Sequence, residues 1–571
     1  MAEEDLIFGK NRHLFGGIEP ANMQVFEAYD RSGGIRLYLT LPTHTVIDDQ
    51  ILCTVGGVVI RKSTTGFPKD EFSGVEVANI VFDGLTTTHE IFDEDVIANT
   101  TYYYSAFPYT TQGVYNRNAA VSGSKNRYSC KKKSITYGYL YGFDIDTKDE
   151  NPETRVSYPS DVDNYSWGSV KANTSGANYG LSFTTNDKWL SHLQPGVDFT
   201  PKPCMLNYNG TVAEYLDPYD YTKNVNGVAS SLNTSGNNTS NAMMEWPKIY
   251  VKRTESNGVY KFRCSDTKID SSYDCYCNYD KNNNIIDHFY TAIYPLTSNV
   301  NASTRAQSST QKYRSLCNCQ YLKLNETLET MIARARENGD DWDIEQLCDR
   351  LLINDLLILI TKSTNIQSKL GHGMCTQVYD SMTTATDSFM QAVSTSNIHK
   401  KGLFYGKTGT SAADEFIKIF GMVNWYGGLS KVVAGFMMYA NDKSTDGNNY
   451  VIYRYEKKRS DSNYKAAYGS YKYRLTNGTI NYGTHDYIKT METLDIGRLP
   501  WTGGGSSTTY ENGYIDMDQI SGLWQIPFWG GGTNINSEVG PFSIHMDRVS
   551  DNGIGGNYNA AYLSCKPSKT T

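Results

Sequence analysis

The chain has 571 residues, of which 39% are hydrophobic and 13% aromatic, enough for roughly two to four domains with sizeable cores. Its formal net charge of -8 argues against a nucleic-acid partner, because phosphate binding requires clustered Lys and Arg. No stretch is apolar over the roughly 18 residues that a membrane span needs, so we expect no membrane segment. The acidic start, MAEEDLIFGK, lacks the apolar core of a secretory signal.

The cysteines of this chain do not predict a disulfide framework. There are 11 of them, an odd number spread along a large chain. Two C-x-C pairs, Cys275/Cys277 and Cys317/Cys319, offer thiolates for a zinc ion. Their spacing is not the usual C-x-x-C, and the letters DCYCNY are also typical of a strand. Buried free thiols are therefore the main interpretation and zinc is the alternative.

Short strands dominate the first part of the chain. In GIRLYLTLP, the apolar residues Ile35, Leu37 and Leu39 alternate with other side chains, which is the period of a half-buried strand. Further strands are expected in VVIRKS, VEVANIVF and TYYYSAFPYT, separated by Asp, Gly and Pro turn signals. Such spacing without helices predicts a β-sandwich over residues 18–130, after an N-terminal arm at residues 1–17.

The rest of the chain combines strands with a few helices. Residues 131–240 are turn-rich and predict a β-rich connecting region, and residues 241–571 predict one large domain. Its clearest helix lies in DDWDIEQLCDRLLINDLLILITKST, whose apolar residues cover nearly the whole circumference, so we expect burial. A second helix precedes it in TLETMIARARENGDD. We interpret Asp349 and Asp355, among the leucines, as capping or paired rather than catalytic. The predicted fold class is therefore β-rich α+β.

One stretch, residues 402–439, is predicted to lie at the centre of a packed domain. It reads GLFYGKTGTSAADEFIKIFGMVNWYGGLSKVVAGFMMY and gathers Phe420, Met422, Trp425 and Tyr426 around glycines. Large aromatic side chains bury much area, and glycines let backbones approach closely. Such a segment is expected in a core rather than in a loop.

The same stretch carries a family resemblance. A short amphipathic helix, the motif FG-x-x-N-x-(W/Y)-G and a hydrophobic strand resemble tail and fibre proteins of bacteriophages that infect Gram-positive or gut bacteria. The resemblance implies a C-type-lectin-like fold, related to the sulfatase-modifying fold, for residues 241–571. VVIRKSTTGFPKDEFSGVEV followed by TYYYSAFPY resembles the fibronectin type III-like modules of phage tail proteins. The resemblance covers about residues 18–567, and the final strand, NAAYLSC, departs from the usual pattern.

The resemblance implies a virion surface protein for host attachment, in a tail fibre, a baseplate or a head fibre. Expected partners are other virion proteins and a bacterial cell-surface receptor, either a glycan or a protein. A homo-oligomer is expected too, although the sequence shows no coiled-coil heptads. Release of virions by lysis fits the missing secretory signal. The alternative is a purely structural virion component whose lectin-like domain contacts only other subunits.

Ligand binding is expected to use the terminal loops of the large domain. Aromatic rings stack on the apolar faces of sugars, while amide groups hydrogen-bond to sugar hydroxyls. The candidates are Trp501, Tyr510, Trp524, Trp529, Asn534, Asn536, Asn557 and Tyr558. Core packing is the alternative role for the tryptophans.

No catalytic residues, metal or cofactor are predicted. The chain contains no G-x-S-x-G elbow and no H-E-x-x-H motif, and its nine His are scattered. Formylglycine-generating enzymes share the C-type-lectin-like architecture and use a cysteine pair near the end of the domain. Here only Cys565 follows Cys375, so that activity is the least favoured alternative.

Overall fold

The computed structural model divides the chain into two compact units, Met1–Tyr139 (unit 1) and Leu140–Thr571 (unit 2). Strands far outnumber helices in the described part of the chain, which confirms the β-rich α+β class. The predicted arm at residues 1–17 lies outside the described part. The described residues are 19–31, 34–42, 45–47, 50–117, 126–132, 140–165, 167, 171–172, 181–182, 199–233, 239–297, 312–317, 326–373, 400, 402–406, 417–440, 450–454, 485–510, 513–516, 524–530, 540–549 and 559–568.

Unit 1 is built from two antiparallel sheets and a small hairpin. One sheet has the strand order β1–β2–β7 and the other β6–β5–β8–β9, while β3 pairs with β4. The strands are β1 (Val25–Arg31), β2 (Gly34–Thr40), β3 (Thr45–Ile47), β4 (Gln50–Cys53), β5 (Val55–Ser63), β6 (Val75–Val81), β7 (Thr88–Asp93), β8 (Thr101–Thr110) and β9 (Arg127–Lys131).

The two sheets of unit 1 form a sandwich around a shared core. Leu37 of β2, Ile60 of β5 and Tyr104 of β8 belong to one buried cluster, as the alternation in GIRLYLTLP predicts. A buried ion pair also crosses between the sheets, because Nζ of Lys62 on β5 lies 2.8 Å from Oδ1 of Asp93 on β7. The sandwich predicted from the sequence is therefore confirmed.

Unit 2 contains the remaining strands. They are β10 (Leu140–Asp146), β11 (Val156–Ser157), β12 (Lys171–Ala172), β13 (Leu181–Ser182), β14 (Lys202–Asn207), β15 (Val212–Tyr215), β16 (Ser240–Pro247), β17 (Tyr250–Ser256), β18 (Val259–Ser265), β19 (His288–Ala292), β20 (Trp342–Ile344), β21 (Lys418–Ile419), β22 (Met422–Val423), β23 (Ser430–Val432), β24 (Phe436–Ala440), β25 (Tyr450–Arg454), β26 (His485–Tyr487), β27 (Thr490–Leu494), β28 (Gly497–Thr502), β29 (Tyr514–Asp516), β30 (Trp524–Trp529), β31 (Ile544–Val549), β32 (Asn559–Ala561) and β33 (Leu563–Cys565).

Three larger sheets contain most of these strands, and β12–β13, β21–β22 and β27–β28 form separate pairs. A four-stranded sheet has the order β11–β10–β18–β17, and a six-stranded sheet has the order β15–β14–β16–β19–β33–β20. The third sheet follows β25–β24–β30–β31–β29–β26, with β23 and β32 attached beside β30. β33, close to the C-terminus, thus completes a sheet whose first strand, β14, lies about 360 residues earlier in the chain.

The prediction of a separate connecting region at residues 131–240 is wrong. β10 pairs with β18 in the four-stranded sheet, and β14 pairs with β16 in the six-stranded sheet. Met205 and Leu206 of β14 are fully buried. The turn residues in this part of the chain mark the loops between long-range strands rather than a linker, so these strands belong to unit 2.

Three α-helices are described in unit 2: α1 (Leu328–Arg336), α2 (Leu347–Thr361) and α3 (Ile366–Leu370). Every residue of α2 except Cys348 is buried, which confirms the prediction of a helix enclosed on most sides. The helix begins later than its letters suggest, because Trp342–Ile344 forms an edge strand of the six-stranded sheet. The side-chain oxygen of Thr327 caps α1 by accepting from Thr330 N.

Two local predictions are wrong. Tyr276–Asn278, within DCYCNY, is a 3-10 turn rather than a strand. Lys418–Ile419, at the end of the expected amphipathic helix, is a strand that pairs with Met422–Val423. Residues 407–416 lie outside the described part of the chain. Long-range contacts determine the secondary structure of both segments, since each packs among residues distant in sequence.

The stretch FGMVNWYGG lies at the centre of unit 2, as predicted. Trp425 and Tyr426 are both 0% exposed. The tight turn before them needs glycine, because Gly421 has φ +85 and an ideal Cβ there would lie 2.6 Å from Sδ of Met244 and from Oη of Tyr221. The backbone therefore comes into direct contact with neighbouring side chains at this point.

Candidate functional site

Two of the predicted ligand-binding residues are buried in unit 2. Trp529, at the end of β30, is 0% exposed, and Tyr510 is 2% exposed. The Arg155 guanidinium lies 4.9 Å from the centre of the Tyr510 ring, and Phe542 packs edge-on against the same ring. Both rings belong to the core, so neither presents a face on which a ligand can stack.

Trp501 is the predicted residue whose described side chain reaches the surface. It is half-buried on β28 and packs on one side against the core. Only the backbone of Trp524, on β30, is described. The remaining predicted residues lie outside the described part of the chain: Asn534, Asn536, Asn557 and Tyr558.

Several partly exposed residues lie on strands β26, β27, β28 and β29 near Trp501 in the fold, and we name this group the Trp501 face. Two segments lie side by side there. Lys489 N donates to the carbonyl oxygen of Thr502 at 2.7 Å, and Gly505 N donates to that of Tyr487 at 3.0 Å. Thr490 is exposed and the other members of the face are half-buried. The members are Asp486, Tyr487, Thr490, Trp501, Thr502 and Tyr514.

The chemistry of the Trp501 face combines aromatic and polar groups. The Tyr487 and Tyr514 rings meet edge to face, with their centres 5.5 Å apart. The hydroxyl oxygens of Thr490 and Thr502 are 2.6 Å apart, and Asp486 adds a carboxylate. Aromatic rings beside hydroxyl and carboxylate groups can stack on the apolar face of a sugar and hydrogen-bond to its hydroxyls.

A buried arginine supports this face from beneath. Arg498 lies on β28, three residues before Trp501, and its guanidinium is 4.6 Å from the ring centre of Tyr260. Burial alone would lower the pKa of Arg498, but Tyr510, Tyr260 and nearby carboxylates raise it above its ordinary value. The side chain therefore stays charged over the Tyr260 ring and holds β28, the strand that also carries Trp501, against the core.

The two aspartates of α2 are paired, as the sequence analysis interprets them. Oδ1 of Asp349 accepts from Nζ of Lys566 at 2.9 Å. Oδ2 of Asp355 accepts from Nε of Arg253 at 2.8 Å, and the Tyr260 hydroxyl lies 3.3 Å from Oδ1. Burial raises the pKa of Asp355, and Arg253 opposes that rise. These contacts tie α2 to the strands around it.

A third buried charge pair lies next to the FGMVNWYGG stretch. Nη2 of Arg350 is 2.6 Å from Oε2 of Glu345, and the guanidinium lies 3.7 Å from the ring centre of Trp425. Lys431 is also 0% exposed and donates to the carbonyl oxygen of Gly427. Burial, with Arg350 nearby, lowers the pKa of Lys431 well below its ordinary value. None of these charged side chains is exposed, so the group braces the core.

Glu345 gives the stability of unit 2 a predicted dependence on pH. Burial raises its pKa from 4.5 to about 7. Between those values the folded chain holds a proton that the unfolded chain has released, so the contribution of this group to stability falls as the pH rises. We expect the free energy of unfolding of the wild type to fall by about 2–3 kcal/mol from about pH 5 to pH 8 because of this group. Glu345→Gln should not show that fall. Urea denaturation at both pH values measures the free energy of unfolding of the two proteins. An equal change with pH in the wild type and the variant would contradict this prediction.

The zinc site suggested by the two C-x-C pairs does not form among the described residues. Cys275, Cys277 and Cys317 are buried cysteines outside any disulfide, and Cys319 lies outside the described part. Cys277 instead lies beside the first turn of α2, within the group of three possible metal ligands found in the described chain. Its partners there come from α2, so sequence spacing gives no sign of them.

Sequence analysis missed part of the Trp501 face. Asp486, Tyr487 and Tyr514 were not among its candidates. An aromatic residue within two positions of an acidic one, in HDY and GYID, is the signal that points to such residues. Nothing local brings the two segments together, because β26 and β29 pair across 26 intervening residues (488–513) that include the β27–β28 hairpin.

Comparisons with known proteins assign no family to this chain. It matches no protein-family model, and no curated protein matches it. Within the described residues, no helix has both the length and the apolar character needed to cross a membrane. Functional inference for this chain therefore depends on its own residues and geometry.

Proposed function

We propose that this chain is a bacteriophage virion surface protein, from a tail fibre, baseplate or head fibre, that attaches to the bacterial surface through the Trp501 face. The observation that carries the proposal is the position of FGMVNWYGG, the motif behind the phage-protein resemblance. Its aromatic residues are fully buried at the centre of unit 2 and contact α2 and the C-terminal segment. A motif with that role determines a fold, which supports a fold-level relationship to the phage proteins.

Unit 1 supports the same proposal. Its strand orders, β1–β2–β7 and β6–β5–β8–β9, give three strands in one sheet and four in the other. This arrangement suits a fibronectin type III-like sandwich, one of several folds with that architecture. Such a module acts as a spacer or an anchor in the phage tail proteins that the sequence resembles, and other virion proteins would be its partners.

The Trp501 face supports a role in recognition. It offers half-exposed aromatic rings, hydroxyl groups and a carboxylate on strands that the core holds in place. Aromatic residues are common at the centres of binding surfaces because they bury much area and lose little conformational entropy. A surface carbohydrate is the ligand that this chemistry suits best, and repeated copies in a homo-oligomer would strengthen binding through avidity.

Binding to whole cells tests this proposal. Fluorescently labelled full-length protein is expected to bind saturably to at least one member of a panel of Gram-positive and gut bacteria. Competition by isolated wall polysaccharide would identify a glycan receptor, whereas loss of binding after protease treatment of the cells would identify a protein receptor. A well-folded protein that binds no cell in the panel would contradict attachment.

A purely structural virion component is the second candidate function. Unit 1 favours it, because several large apolar side chains there are strongly exposed: Phe72 at 77%, Val81 at 71% and Leu85 at 88%. Exposed apolar groups of this kind mark surfaces that other subunits cover. Copurification of the protein inside assembled virions, without any cell binding, would favour this role over attachment.

A further inference from the structure

Two cysteines from distant parts of the chain meet at the first turn of α2. Cys277 belongs to the 3-10 turn Tyr276–Asn278, and Cys348 is the second residue of α2. Their sulfur atoms and a carboxylate oxygen of Asp349 all lie within 4.8 Å of one another, and the two thiols are hydrogen-bonded. Neither cysteine takes part in the proposed attachment, so any chemistry of the pair is independent of that function.

A buried ammonium group lies beside this cysteine pair. Nζ of Lys566 is 2.9 Å from Oδ1 of Asp349 and 3.7 Å from Sγ of Cys348. Burial alone would lower the pKa of Lys566, but Asp349, Cys348 and Cys277 raise it above its ordinary value, so the lysine stays charged. A positive charge thus already lies among the possible metal ligands, which disfavours a metal ion in the same place.

The two thiols differ in their exposure to solvent and in the groups that surround them. Cys348 is half-buried, whereas Cys277 is 3% exposed. Nζ of Lys566 lies 3.7 Å from Sγ of Cys348, and Oδ1 of Asp349 lies 3.5 Å from the same sulfur. Burial, followed by the hydrogen bond with Cys348, raises the pKa of Cys277 well above its ordinary value. Cys277 therefore keeps its proton while Cys348 reacts.

We propose that Cys348 and Cys277 form an oxidation site, at which a small-molecule disulfide such as glutathione disulfide converts the two thiols into one intramolecular disulfide. The Cys348 thiol loses its proton to solvent, and its sulfur attacks one sulfur of the small disulfide. This forms a mixed disulfide and expels one thiolate, which takes up a proton from solvent. The sulfur of Cys277 loses its proton to solvent and attacks Sγ of Cys348, which expels the second thiolate. Two protein thiols are oxidised, and one small disulfide is reduced to two thiols.

The bond would join segments about 70 residues apart in sequence and hold the 3-10 turn against α2. The sulfur atoms, which lie within 4.8 Å of each other, must approach to about 2.0 Å to form the bond. A cross-link over this length restricts the unfolded chain, so the oxidised protein should resist heat better than the reduced protein. The helix that it would anchor is the one enclosed by the core of unit 2.

The test uses the full-length protein, first reduced and then incubated with glutathione disulfide without denaturant. Peptide mapping is expected to find a Cys277–Cys348 cross-link and the loss of two of the 11 thiols. The Tm should rise by about 3–8 °C, and dithiothreitol should reverse the rise. The matched control is Cys275→Ser, which removes a thiol two residues from Cys277 and should still permit the cross-link. Cys348→Ser should abolish it.

Three results would overturn the proposal. One is a folded, oxidant-treated protein in which mapping finds both thiols free. Another is a glutathione adduct on Cys348 that persists without attack by Cys277. The third is one zinc ion per chain that protects both thiols and is lost in Cys277→Ser and Cys348→Ser, because the group would then be a metal site. Mapping of the wild-type chain decides the question even where a variant fails to fold.

Discussion

Replacing Trp425 with alanine is expected to lower the free energy of unfolding of unit 2 by about 3–5 kcal/mol. The side chain is 0% exposed, so its removal leaves a cavity in closely packed surroundings. Its Nε1 also donates to Oδ1 of Asn354 on α2 at 3.1 Å, and its ring centre lies 5.9 Å from that of Tyr562. The change therefore weakens contacts among the FGMVNWYGG stretch, α2 and the C-terminal segment at once.

Urea denaturation followed by tryptophan fluorescence measures this effect, because all eight tryptophans lie in unit 2. Trp425→Phe is the matched control. It keeps an aromatic ring but loses the hydrogen bond to Asn354, so its loss should be clearly smaller than that of Trp425→Ala. A loss below about 1 kcal/mol in Trp425→Ala would show that this residue is not part of a packed centre.

The second large effect is expected for Arg350→Met, with a loss of about 3–5 kcal/mol in unfolding free energy at about pH 8. The change removes the cation above the Trp425 ring and leaves the Glu345 carboxylate buried without its ion-pair partner. The loss should shrink at about pH 5, because Glu345, whose pKa is about 7, then carries a proton.

Two further variants separate this effect from a general sensitivity to charge. Lys248→Met breaks a partly exposed pair, in which Nζ of Lys248 lies 3.0 Å from Oδ1 of Asp287, and should cost less than about 1 kcal/mol. The double variant Arg350→Met/Glu345→Gln should be more stable than Arg350→Met alone, because no buried carboxylate remains unpaired. A loss in the double variant equal to the sum of the losses in Arg350→Met and Glu345→Gln would show that Glu345 and Arg350 are not coupled.

The sequence predicts those elements whose pattern is local. Alternating Ile35, Leu37 and Leu39 identify a sandwich strand because the side chains of a strand point to alternate faces. The leucine-rich letters of α2 identify a buried helix because its apolar residues leave no polar side. The cluster of aromatics and glycines around Trp425 identifies a core segment for a similar reason, since such bulk requires neighbours on every side.

What the sequence does not predict depends on contacts between distant segments. The role of β14 in a sheet with β16, β19 and β33 is invisible locally, so its turn-rich surroundings look like a linker. Trp529 and Trp501 look equally suitable for binding in the sequence, but pairing of β30 with β31 and β23 encloses the first. The meeting of Cys277 with Cys348 and Lys566 likewise joins three segments that only the fold brings together.

The central claim is that the Trp501 face attaches this protein to bacterial cells, and the dissociation constant for the cell that binds best tests it most directly. Trp501→Ala should weaken binding by about 30-fold or more, as expected for a central aromatic contact, while Trp501→Phe should keep part of the affinity. Leu85→Ala, which removes an exposed apolar side chain from unit 1, should bind as the wild type does. Unchanged binding by a folded Trp501→Ala variant would place the attachment surface elsewhere and contradict this account.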